Sequence, residues 1–130
     1  MRVKQRRENY EFYYHNLKDI PGISFLPEPE GKFFSNRWLT TILIDPEKTG
    51  VKHCDIQDAC ERENIETRPL WKPMHMQPVF ASCPSYLNGT SRELFIKGLC
   101  LPSGSNMTDE DRLRILNVIL KCIDHGEKAK

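Results

Sequence analysis

Tyr10, Tyr13, Tyr14 and Leu17 fall at the i, i+3, i+4, i+7 spacing of one helical face, with charged residues opposite. The spacing predicts a helix over about residues 3–18, ending before Pro21. In "GISFLPEPEGKFF", Pro27, Pro29 and Gly31 separate one short extended piece from the next. Aromatic and β-branched residues then crowd 38–44 of "SNRWLTTILID", which predicts a strand buried on most of its length and closed by the turn "DPEKTG". Ile56, Ala59 and Cys60 share a face over about 53–63, as expected of a short helix covering one side of a sheet. "NIETRPLW" returns to extended chain, because the residue before Pro69 is biased away from helix. "TSRELFIKG" predicts a two-turn helix with a capping box at Thr90 and Glu93 and a C-cap at Gly98. "LCLPSG" is short and extended. The last helix begins at Thr108, with acidic residues in its first turn, and ends at Lys121, His125 and Gly126.

This order predicts an α+β fold in one domain over residues 1–130, a small mostly antiparallel sheet with helices packed on one face. The 130 residues suit one core, with 19 basic against 18 acidic residues. A charge of +1 gives no field for gathering nucleic acid or anionic lipid. The basic run "RVKQRR" stands alone, and a solvated first helical turn accounts for it better than a nucleic-acid arm. Five scattered cysteines without zinc spacing fit a reducing cytoplasm. No apolar run approaches ~18 residues and no secretion signal is evident, so membrane insertion and export are not expected. The "NGT" and "NMT" sequons are therefore read as turns.

Self-contained catalysis finds little support. The chain holds no G-x-S-x-G, H-E-x-x-H, Walker or G-x-G-x-x-G motif. The segment "IETRPLWKPMHMQPVF" at 65–80 is unusual, because Arg68, Trp71, Lys72 and His75 stand among prolines 69, 73 and 78. Arg68 offers a two-pronged donor for a carboxylate or phosphate, Trp71 a flat apolar face, Lys72 a point charge and His75 a titratable donor. A prolyl backbone orders such groups at low entropic cost. Composition alone leaves Trp71 as a core plug and Arg68 as a surface charge at least as well supported. A second candidate is "GLCLPSGSNMT", a polar turn with Ser103 that leads into a helix N-terminus; a plain loop and N-cap explain it more simply.

Together, "NRWLTTILID", "NIETRPLWKPMHMQPVF", "LFIKGLCLPSGSNMT" and "DEDRLRILNVI" resemble the C-terminal part of the DegT/DnrJ/EryC1/StrS family, aminotransferases that use pyridoxal phosphate and act on keto-sugars attached to nucleotides. The opening "KQRRENYEFYYHNL" resembles the helix that leads from the family's large domain into its small one. The resemblance covers nearly the whole chain and implies the fold of the C-terminal small domain of fold-type I aminotransferases. Family enzymes are about three times longer, and their large N-terminal domain holds pyridoxal 5'-phosphate on a lysine. The resemblance therefore implies a small domain from a shortened gene, a split gene or a cut piece, with no cofactor bound by this chain alone.

The resemblance implies that Arg68, Trp71, Lys72 and His75 lie near a bound nucleotide-sugar, with His75 touching the sugar or phosphate. Asn36, Arg37 and Trp38, at the start of the strand, and Ser103 carry over less directly. No catalytic residue is expected in this chain. The expected partners are the missing large domain, on the same or a separate chain, a second copy in a homodimer, and a nucleotide-sugar, without nucleic acid or membrane. The implied activity is amino transfer from an amino acid such as glutamate, in polysaccharide or lipopolysaccharide synthesis in the cytoplasm. The alternatives are a stand-alone module that binds nucleotide-sugars or pairs with an aminotransferase, and an inert remnant.

Overall fold

A computed structural model describes residues 1–29, 31 and 33–128, apart from the side chain of residue 127. The elements run α1 (Arg2–Leu17), β1 (Ile23–Phe25), β2 (Thr40–Ile44), α2 (Pro46–Thr49), α3 (His53–Arg62), β3 (Arg68–Pro69), two 3-10 turns (Met74–Met76 and Pro78–Phe80), α4 (Thr90–Lys97), β4 (Gly98–Leu101) and α5 (Asp109–Lys128). The four strands form one antiparallel sheet in the order β1-β2-β4-β3, the α+β architecture expected from the sequence.

Register explains the layering. Ile23 pairs with Ile44, Ile42 with Leu99, and Thr40 with Leu101, so the strands turn their branched side chains to one face. There they meet Tyr13 and Leu17 of α1, Ile56 and Cys60 of α3, and Ile115, Ile119 and Ile123 of α5 in one core. Ile56, Leu99 and Ile119 are fully buried, and each such side chain contributes about 1.5–3 kcal/mol of transfer free energy. The opposite face carries Thr41, Cys100 and Arg68, which are neighbours across β2, β4 and β3.

Several local expectations need correction. β2 begins at Thr40, and its burial alternates, with Thr41 and Leu43 half-buried, because its outer face is only partly covered. Asn36, Arg37 and Trp38 lie before the strand, in irregular chain. The capping box at Thr90 does not form. The N-cap is Gly89, and the Asn88 side chain accepts the Thr90 N–H at 3.1 Å, which shifts the helix start by one residue.

The glycines expected at the two helix ends both serve close packing, and Gly98 also caps α4 as expected. Gly98 is the first residue of β4 at φ −92, and a Cβ there would lie 2.1 Å from Leu70 Cδ1. Gly126 sits inside α5, which continues to Lys128, and a Cβ there would lie 2.4 Å from Val51 Cγ1. At the other end of α5 the reading holds. The Thr108 hydroxyl accepts the Asp111 N–H at 3.1 Å, and the Asp111 carboxylate accepts the Thr108 N–H at 2.8 Å.

Candidate functional site

The prolines at 73 and 78 divide the 65–80 segment into short closed turns. Met76 N–H donates to Pro73 O at 2.9 Å, Gln77 N–H to Met74 O at 3.0 Å, and Phe80 N–H to Gln77 O at 3.0 Å. The Gln77 side chain reaches back to Lys72 O at 3.0 Å. With part of its backbone bonded within these turns, the segment turns side chains outward: Trp71 and Lys72 are exposed and His75 is half-buried on the first turn. Leu70, packed on Gly98, pins the start of the loop to the central strand. Arg68 projects from the edge strand β3 and pairs with Glu66, its Nε donating at 2.8 Å.

A second loop supplies the facing wall. Trp38 lies beside Trp71, with ring centroids 6.2 Å apart and planes inclined by 33°. Asn36 Oδ1 accepts the Trp38 N–H at 3.1 Å, and Ser35 Oγ accepts the Arg37 N–H at 3.1 Å. Arg37 takes φ 48, in the left-handed region that non-glycine residues rarely enter. Its side chain, 11% exposed, lies 3.7 Å above the Tyr10 ring, donates to Leu26 O at 3.3 Å and pairs with Glu28 at 3.9 Å. Glu28 is also gripped by both terminal nitrogens of Arg7, at 2.9 and 3.2 Å, and accepts the Ser35 N–H. The hydrogen bond from Arg7, then that from Ser35, holds the Glu28 carboxyl at about 2. Arg37 thus works as a clamp between α1 and this loop, and Asn36 fixes the backbone that carries Trp38.

Ser103 is likewise committed. It is 6% exposed, accepts the Thr40 N–H at 2.8 Å and donates to Leu101 O at 2.9 Å, closing the end of the β2-β4 ladder. The following turn is anchored by Asn9, which donates to Gly104 O at 2.9 Å and accepts from Arg112 at 3.0 Å. Tyr13 adds a bond to Pro102 O at 3.0 Å. A cavity of about 480 Å³ brings Arg68 and Ser103 to one lining, together with Cys100, Pro102 and Met107. A larger groove of about 1050 Å³ lies between α3 and α5 and is lined by none of the site residues named from the sequence.

Among the described residues no group of three or more His, Cys, Asp or Glu is placed to hold a metal. Burial raises the thiols of Cys60, to about 11, and of Cys100 and Cys122, so none of these is an activated nucleophile. No described lysine is buried: all are exposed except Lys97, which is half-buried and paired with Glu93 at 3.5 Å.

The model of the DegT/DnrJ/EryC1/StrS aminotransferase family matches residues 1–120. The chain belongs to this family. It is 42% identical over 133 aligned positions to EpsN of Bacillus subtilis, which carries the name of a pyridoxal phosphate-dependent aminotransferase; the match takes in 99% of this chain and 33% of EpsN. It is 29% identical over 118 positions to GDP-perosamine synthase of Vibrio cholerae, covering 90% of this chain and 31% of that one. The chain therefore spans about a third of the length of the curated relatives it matches. The crystal structure of DesI with its TDP-sugar product superposes with TM-score 0.82 at 22% identity, over 98% of this chain and 32% of that one, which establishes a shared fold. The chain thus shares the fold of about a third of the DesI chain.

The sequence pointed neither to the pairing of the two tryptophans nor to the clamp of Tyr10 and Glu28 on Arg37. The available signal for the first was that the chain contains only two tryptophans, each next to a basic residue. For the clamp the sequence offered no comparable pattern, since its members come from a helix face and two irregular segments.

Proposed function

We propose that this chain is the single, small domain of a nucleotide-sugar aminotransferase, and that it supplies one wall of the substrate pocket. The observation that carries the reading is the family match over residues 1–120 in a chain about a third as long as its relatives. The larger part, on the same or another chain, holds pyridoxal phosphate, which supplies the amino-transfer chemistry when bound. Arg68, Lys72 and His75 hold the phosphates and sugar hydroxyls from this side, and Trp71 covers an apolar face. Asn36 and Arg37 act by fixing the loop that carries Trp38, and Ser103 acts by fixing the end of the sheet. The amino donor is an amino acid such as glutamate, and the product an amino-sugar nucleotide for cell-surface polysaccharide.

A specific feature favours this over a stand-alone binding module. Met74 and Val79 are exposed on the substrate loop, beside the residues assigned to the ligand. Such apolar surface next to a polar site is what a second domain or a dimer partner covers. No described helix is long and apolar enough to cross a membrane.

Two titrations test the reading. Pyridoxal phosphate added to the chain gives no aldimine absorbance, and a band that appears and reacts with glutamate overturns it. A nucleotide-sugar titrated into the chain gives weak, saturable heat that Arg68→Ala and His75→Ala reduce; heat unchanged in both variants removes those residues from the site.

A further inference from the structure

The two tryptophans of this chain come from different loops, and the fold brings both to one place. Neither is buried: Trp38 is 58% and Trp71 66% exposed. An indole is among the largest apolar groups a core can absorb, so two of them kept together in solvent forgo stabilisation. The chain also fixes their position. Trp38 follows Arg37, whose unfavourable φ of 48 is held by Tyr10, Leu26 O and Glu28. Backbone strain that its surroundings over-determine is found where a side chain must be presented. Trp71 sits between Pro69 and Pro73, one residue after the Leu70 anchor on Gly98.

The geometry points to Trp38 and Trp71 as a stacking wall for the nucleobase of the nucleotide-sugar, with Lys72 beside it for the diphosphate. This rests on the functional reading above, which leaves the nucleobase unplaced. A base suits the wall better than a sugar ring. Hydroxyls need partners at the ring itself, and two of the acceptor oxygens next to the indoles are already engaged: Asn36 Oδ1 with the Trp38 N–H, and Lys72 O with the Gln77 side chain. A flat ring asks only for π surface, and stacking of this kind accepts any base.

The pair is the chain's whole tryptophan content, so intrinsic indole emission reports on this wall directly. Uridine diphosphate, inorganic pyrophosphate and methyl glucoside are titrated into the full chain, with excitation at the red edge of the indole band and correction for nucleotide absorbance. The expected result is saturable quenching by uridine diphosphate alone, with affinity lowered about tenfold or more in Trp38→Leu and in Trp71→Leu, and largely kept in Trp38→Phe. Quenching by methyl glucoside that equals or exceeds that by uridine diphosphate overturns the assignment in favour of a sugar wall. Absence of saturable quenching by uridine diphosphate up to about 10 mM overturns it as well. Calorimetry of a UDP-sugar separates this claim from the functional reading: unchanged affinity in Trp38→Leu defeats the stacking wall and leaves the aminotransferase assignment standing.

Discussion

The guanidinium of Arg37 lies 3.7 Å above the ring of Tyr10, and through this contact helix α1 holds the loop that presents Trp38. Arg37→Ala removes the cation–π contact and the bond to Leu26 O while keeping a Cβ at φ 48. The expected loss is about 1–3 kcal/mol in urea unfolding, with a shift in tryptophan emission. Arg37→Gly loses the same contacts but relieves the backbone, so it unfolds at higher urea than Arg37→Ala.

Glu28 sets an acid limit on the same latch. Its folded-state pKa of about 2 lies below the ordinary 4.5, so its contribution to stability is fully present above pH 4.5 and is lost as pH falls towards 2. Glu28→Gln abolishes this dependence. The stability gap between wild type and variant therefore narrows from pH 4.5 to pH 2, as followed by urea unfolding at each pH; a gap that stays constant rejects the pairing.

Ser103 offers a clean separation of fold from site. Its hydroxyl is the partner of the buried Thr40 N–H, so Ser103→Ala leaves that donor unsatisfied at a cost of about 1–3 kcal/mol. Thermal unfolding shows the loss, and nucleotide-sugar affinity at a temperature where the variant is folded stays within a factor of two or so of wild type. A larger loss of affinity without a loss of stability means that Ser103 contacts substrate.

Hydrophobic period made the layers legible, because Tyr10, Tyr13 and Leu17 on α1 and the branched run of β2 announce which faces meet. What failed depends on partners distant in sequence. Gly126 reads as the end of the last helix by position, yet α5 runs on to Lys128 and the missing side chain makes room for Val51 across the fold. The capping box at Thr90 was displaced by a neighbouring competitor, Asn88. Within the candidate site, the prolines of 65–80 signalled an ordered loop. That Trp71 stands in solvent against Trp38 follows from the packing of Leu70 on Gly98 and from the Arg37 clamp, which no local pattern encodes.

The central claim is that this chain forms the substrate-facing small domain of a sugar aminotransferase, and a chimera tests it most directly. This chain replaces the corresponding third of EpsN, and amino transfer from glutamate to a keto-sugar nucleotide is measured together with the bound-cofactor spectrum. The account predicts a chimera that holds pyridoxal phosphate and turns over, with kcat/KM lowered about 10- to 100-fold by His75→Ala while the cofactor spectrum is unchanged. A chimera that holds pyridoxal phosphate and shows no amino transfer, or one whose turnover is indifferent to His75→Ala, Arg68→Ala and Trp71→Leu alike, contradicts it.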